Sequence, residues 1–285
     1  MSQNLTIPQM SFTDFRPRIT IIGVGGGGAS AVDAMIRADL RDAEFAVVDS
    51  DPWELVHMGA AHRIRLDPTV AVDSAACVNS EIGRLAAERA VGSIKRRLDG
   101  MHLVFVIAGM GGSTGTGAAP VIARVADELG ITTVACLIQP FAFEGAERSR
   151  VAEGGLTELQ PFVDTLIVIP ADRLLDNLAE CTNPRDAFKL VDHAIFRGVR
   201  GVTDLLLKPG GIGLDFADIR SVLANRGKAA FGYGRASGEN RAIRAAEQAI
   251  SDPLLDGISL ARAGGILMTF TGGDDSTLFE VDRPR

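Results

Sequence analysis

Short apolar runs recur through the first 170 residues: RITIIG (18–23), FAVVD (45–49), LVFVIA (103–108), ITTVACLIQ (131–139) and TLIVIP (165–170). Each is β-branched and apolar at successive positions, as a strand covered by helices on both faces requires. Helical patterns lie between them, at about 29–40, 80–98, 117–129 and 147–160. This alternation predicts an α/β fold with a doubly wound, mostly parallel sheet. After residue 183 the pattern changes. PRDAFKLVDHAIFRGVRGVTDLLL (184–207) reads as one long helix opened by Pro184, a residue suited to a first helical turn. At 1.5 Å per residue it spans about 36 Å. Gly198 and Gly201 weaken it, which points to a packing reason for both. KPGGIG (208–213) ends it. A helix near 216–226, a short strand at 229–235, a helix at 238–251 and a last strand, GGILMTF (264–270), complete the reading. No internal repeat is present.

Composition narrows the classes. The chain has 285 residues, 46% apolar and 23% charged, enough to bury a substantial core. Its net charge of −7, with 25 Arg and 4 Lys spread without a dense patch, argues against a nucleic-acid partner. No apolar stretch of about 18 residues occurs, so no membrane insertion is expected. Residues 1–16 read as a loose tail rather than a signal peptide. Cys77, Cys136 and Cys181 are far apart and form no paired motif, which suits a reducing, cytoplasmic setting. The four histidines form no ligand pattern, and no metal site is expected.

Two glycine loops carry the candidate chemistry. GVGGGGAS (23–30) follows a strand, opens a helix and satisfies G-x-G-x-x-G through Gly23, Gly25 and Gly28. Glycine lets the backbone approach a phosphate, and the helix N-terminus supplies free N–H groups. Asp49 ends the next strand, where a dinucleotide fold places its ribose-reading acid. Alone, this loop fits an NAD(P)-type enzyme. The second loop, GMGGSTGTGA (109–118), also joins a strand to a helix. It lacks the lysine of the G-x-x-x-x-G-K-[ST] motif, so neutral N–H donors would hold the phosphates. A dinucleotide needs one such turn. A triphosphate lodged between two strand ends uses both.

AGMGGSTGTGAAPVIA closely resembles the tubulin/FtsZ signature G-G-G-T-G-T-G, with Ser113 at the third glycine. GVGGGGASAVDAMI, QPFAFEG, VDTLIVIPADRLL, DAFKLVDHAIFRGVRGVTDLL, LDFADIRSVLANRG and RASGENRAIRAAEQAISDPLL extend the likeness in order over about 17–272. The sequence thus resembles the FtsZ family of bacterial tubulin-like cell-division GTPases. The resemblance implies GTP or GDP as ligand, accompanied by Mg2+ or K+. Gly25, Gly26, Gly27, Gly111, Gly112, Ser113, Thr114, Gly115 and Thr116 would hold the phosphates. Glu144 would bind the ribose and Arg148 the nucleotide. Phe188 would pack on the guanine and Asp192 would read its N–H groups, a task for an acceptor-only group. Asp215 and Asp218, in LDFAD, would act as catalytic acids in a loop that enters the next subunit's site. The implied partner is another copy, or full-length FtsZ, in a head-to-tail polymer.

Departures from the family pattern bear on activity. In the γ-phosphate loop, DSAACVNSEIG (73–83), three glycines are replaced by Asp73, Ala75 and Cys77, which weakens the expected grip on the terminal phosphate. Ala171 replaces a guanine-reading Asn, Gly213 replaces the Asn of the catalytic loop, and Asp49 stands for an Asn. The sequence ends with one strand of the family's C-terminal sheet, so a truncated second lobe without a partner-binding tail is expected. The resulting division is a tail (1–16), a nucleotide-binding domain (17–183), a central helix (184–207) and an insertion loop with the short C-terminal lobe (208–285). A GTPase that assembles head to tail is the first expectation. A nucleotide-binding modulator that caps or co-polymerises with full-length FtsZ is the second, and an NAD(P) enzyme a distant third.

Overall fold

The computed structural model describes residues 16–41, 43–67, 79–175, 183–207, 214–256, 258–273 and 275–282. Among these residues seven strands form one all-parallel sheet: β1 (Ile19–Val24), β2 (Glu44–Asp49), β3 (His62–Arg65), β4 (Leu103–Gly109), β5 (Thr132–Gln139), β6 (Thr165–Pro170) and β7 (Gly227–Ala229). Their spatial order is β3-β2-β1-β4-β5-β6-β7. The helices are α1 (Gly25–Arg37), α2 (Pro52–His57), α3 (Ser80–Arg89), α4 (Val91–Leu98), α5 (Ser113–Glu128), α6 (Ala146–Leu159), α7 (Ala171–Leu175), α8 (Pro184–Leu207), α9 (Phe216–Leu223), α10 (Arg241–Ile250) and α11 (Leu278–Asp282).

The central strands β1 and β4 are apolar and buried at nearly every position because both sheet faces are covered there. Val104, Val106 and Ala108 of β4 join a core with α3, α4 and α5. Leu103, Phe105 and Ile107 of the same strand face the other way, into a core with α1, α8 and α9. This two-sided burial is the physical content of the continuous apolar runs.

Helix α8 has the predicted bounds. Gly198 lies under the Phe231 ring, and a Cβ there would sit 2.5 Å from a ring carbon. Gly201 has open space around its Cα, although the Thr269 hydroxyl donates to its carbonyl at 3.4 Å.

Several expectations are corrected. The helix expected over 80–98 is two, α3 and α4, separated at Ala90. β3 (HRIR) escapes a hydrophobicity reading because it is an edge strand with one buried residue, and charged outward positions discourage unwanted pairing. The strand expected at 229–235 is Gly227–Ala229 only. The chain beyond it runs against α10, where a Cβ on Gly232 or Gly234 would lie 1.9 or 1.8 Å from the carbonyls of Ala249 and Ala245. Residues 264–270 form no strand among the described residues, and Ile266, Met268 and Phe270 are exposed. The end of the chain, without a helical period, nevertheless carries α11, tied to α10 through Arg241 and Glu280 at 2.7 Å. Asp73, Ala75, Cys77 and Gly213 lie outside the described residues.

Candidate functional site

The centre of the sheet sets the site. β1 and β4 are neighbours, with Val24 opposite Ala108. The chain leaves β1 through α1 for one face and leaves β4 through α5 for the other. The two helices diverge from adjacent strand ends and open a crevice at the topological switch point, where parallel α/β sheets hold their ligands. Both helices begin earlier than their periodicity suggests, at Gly25 and Ser113, so the glycine loops are themselves first helical turns. Neither N-terminus is capped by a side chain. The first-turn amides of both helices stay available to an anion.

The glycines divide into two groups. Gly25 (φ +69°) and Gly111 (φ +95°) occupy the left-handed region, which disfavours L side chains. A Cβ on Gly25 would approach the Gly115 nitrogen to 2.9 Å, one on Gly115 the Gly109 carbonyl to 2.2 Å, and one on Gly27 the Gly109 Cα to 3.2 Å. Gly25 and Gly27 let the two loops interlock, and Gly115 lets the second loop close on its own start. Gly26 and Gly112 would meet nothing within 4 Å, so open space lies at their Cα atoms. The hydroxyls have structural partners too. Thr116 is buried and accepts the Gly111 N–H at 2.7 Å, which closes the second loop from inside. Thr114 bonds Ser50 at 3.1 Å. Gly83 of α3 permits close packing on the loop, since a Cβ there would lie 2.1 Å from the Ser113 carbonyl.

On the β5 and α8 side, Glu144 ends a 3-10 turn, Ala142–Glu144. Its carboxylate accepts the Phe141 N–H at 2.9 Å and pairs with Arg148. Asp172 holds the turn, both oxygens accepting the Ala142 N–H at 3.1 Å. Phe188 of α8 is half-exposed and meets buried Phe141 edge-on at 5.3 Å. One turn further along α8, Asp192 accepts a hydrogen bond from the Ser30 hydroxyl of α1 at 2.8 Å. Burial pushes the Asp192 carboxyl up to about 6, against the opposing effect of Ser30. Asp49 is buried and accepts the Asp51 N–H at 3.0 Å, and burial raises its pKa as well. That carboxylate is engaged with its own turn.

The structure therefore gathers the two loops, Glu144, Arg148, Phe188 and Asp192 at the C-terminal edge of the sheet. It separates Asp215 and Asp218 from them. Those two acids form a reciprocal capping box on α9: the Asp218 N–H donates to Asp215 at 2.8 Å and the Asp215 N–H to Asp218 at 3.3 Å. Phe216, between them, meets His102 edge-on at 6.2 Å, just before β4 begins. Thr165, at the start of β6, donates to the Leu223 carbonyl at the end of α9 at 2.6 Å. Thus α9 lies at the N-terminal edge of the sheet. A strand of the length of β4 spans roughly 20 Å at about 3.3 Å per residue, so the acids and the glycine loops of one chain stand at opposite poles. Ser30 and Asp172 lie within GVGGGGAS and VDTLIVIPADRLL, yet neither motif assigns them a role, and Ser50 lies outside both; their roles arise from contacts between elements distant in sequence. Among the described residues, no three His, Cys, Asp or Glu side chains are grouped to hold a metal ion, and no helix is long and apolar enough to cross a membrane.

An all-parallel, doubly wound sheet with two interlocked glycine turns at its switch point defines a phosphate-ligand α/β class. Residues 18–179 match the model of the Tubulin/FtsZ family, GTPase domain, and residues 227–284 that of the FtsZ family, C-terminal domain. The chain belongs to the tubulin/FtsZ family. It is 51% identical over 267 residues to the cell division protein FtsZ of Rickettsia conorii, covering 94% of this chain and 59% of that protein. Against FtsZ of Caulobacter vibrioides it is 46% identical over 282 residues, covering 99% and 55%. It thus spans somewhat over half the length of these relatives. An FtsZ dimer, empty, from M. jannaschii superposes with a TM-score of 0.81 at 33% identity, covering 86% of this chain and 71% of that one.

Proposed function

We propose that this chain binds GTP in the crevice and hydrolyses it at a head-to-tail joint between copies, in the service of bacterial cell division. The observation that carries this is the separation of Asp215 and Asp218 from the glycine loops by the length of the sheet. A single copy cannot bring both to one phosphate, whereas stacking the α9 pole of one copy on the crevice of the next does. In this reading the free amides of α1 and α5 hold the phosphates, and the open space at Gly26 and Gly112 admits them. Glu144 with Arg148 takes the ribose side, and Phe188 with Asp192 the guanine. The incoming acids polarise the attacking water. Mg2+ or K+ would accompany the nucleotide, held chiefly by its phosphates. The replaced glycines at 73, 75 and 77 favour a second reading, in which the chain binds nucleotide, hydrolyses little and modulates full-length FtsZ.

Phosphate release by the pure protein tests both. Release that rises steeply with concentration and disappears in Asp218→Ala supports the joint. No release alone, but altered release on mixing with full-length FtsZ, supports the modulator. No binding of labelled GTP at micromolar concentration would sink both.

A further inference from the structure

We propose that Ser30 is a positioning residue, whose hydroxyl ties the Asp192 carboxylate to α1 and so sets which purine edge Asp192 can read. This rests on the reading above that Asp192 faces the base. The bond joins two elements: Ser30 Oγ lies 2.8 Å from Asp192 Oδ2, and the two residues are 162 positions apart. A hydroxyl that donates to a carboxylate stabilises its ionised form. Other groups act on Asp192 from both helices. His193 of α8 and Arg37 of α1 favour ionisation, Asp33 of α1 opposes it, and burial opposes it most strongly. Asp33 is engaged with Arg37 and accepts the Gly59 N–H at 3.1 Å. The balance leaves Asp192 titrating near 6, close enough to neutrality for one hydrogen bond to matter.

The two protonation states read different bases. An ionised carboxylate only accepts, which matches the N1–H and N2–H donors of guanine. A protonated carboxyl offers one O–H donor and one acceptor, which matches the N1 acceptor and N6–H donor of adenine. The ratio of GTP to ATP affinity therefore follows the ratio of ionised to protonated Asp192. Ser30 holds that ratio on the guanine side. Ala171 supplies no polar side chain to reinforce the choice, so discrimination leans on this pair.

The test is titration of fluorescently labelled GTP and ATP between about pH 5 and 8, on the full chain and on Ser30→Ala and Ser30→Thr. In the unaltered chain the GTP:ATP affinity ratio should fall steeply, by up to about tenfold per pH unit, as pH is lowered. In Ser30→Ala the same curve should move to higher pH by about half a unit to one unit, which lowers the ratio about 3–10-fold at pH 7. Ser30→Thr, which restores a hydroxyl, should move it back. A Ser30→Ala curve superimposable on the unaltered one overturns the proposal, as does a ratio independent of pH with GTP binding retained. Absence of GTP binding at every pH overturns the crevice reading together with it.

Discussion

Arg148 reaches back one helical turn to pair with Glu144, whose other oxygen holds the Phe141 amide. The pair is half-buried, so each partner has lost part of its water. Replacing Glu144 with Ala should weaken labelled-GTP binding by about 10–100-fold, the scale of a charged hydrogen bond. Replacing Arg148 alone should cost less, since its side chain is more exposed. Because the two are bonded, the double variant should lose less than the sum of the single effects. Additive losses would show that they act independently.

The two groups of glycines predict opposite outcomes. Gly115→Ala drives a Cβ against the Gly109 carbonyl and should lower stability by about 1–3 kcal/mol, read as a drop in the thermal midpoint. Gly26→Ala meets no neighbour inside α1 and should leave the midpoint unchanged or raise it slightly, while Gly112→Ala also meets no neighbour but replaces the glycine N-cap of α5 and should cost only about 0.5–1 kcal/mol. They should still weaken nucleotide binding, since the added methyl occupies the open space of the crevice. A Gly115→Ala protein as stable as its parent would contradict the close packing of the second loop on its own start.

Asp215 serves as the N-cap of α9, and its proposed catalytic charge can be separated from that role. Asp215→Ser keeps a side-chain oxygen for the Asp218 amide and should retain stability within about 0.5 kcal/mol. Asp215→Ala should cost about 1 kcal/mol. Both should lose GTP turnover. Turnover retained in the serine variant, with the thermal midpoint preserved, would reduce Asp215 to a cap.

Asp192 carries a stability cost with a definite pH window. Its folded pKa, about 6, lies above the ordinary 3.8. Between those values the folded chain holds a proton that the unfolded chain releases, and above 6 the cost of the buried charge is fully expressed. Asp192→Asn should therefore stabilise the nucleotide-free protein near pH 7.5 by on the order of 1–2 kcal/mol, after allowing for solvent contact. The gain should vanish toward pH 4. Labelled-GTP binding should weaken in the same variant. Thermal midpoints measured across this range would check the sign, and a loss of stability at neutral pH would contradict it.

The amino-acid sequence alone determined the parallel sheet, the bounds of α8 and the two glycine turns. Two-sided burial writes itself as unbroken apolar runs, and a close backbone approach writes itself as glycine. Its resemblance to the family's motifs named Glu144, Arg148, Phe188 and Asp192 as expected nucleotide contacts, and the fold brings these four to the edge of the sheet where the glycine loops lie. The sequence could not carry β3, whose edge position removes the apolar signature, nor the loss of the strand at 264–270, because strand formation depends on a neighbour rather than on composition. Only the tertiary structure divided the glycines into those that fit the loops together and those that leave room beside them. Only it paired Ser30 with Asp192, since α1 and α8 meet by packing on one face of the sheet. The same packing placed Asp215 and Asp218 at the far edge from the glycine loops, a separation fixed by the length of the strands between them.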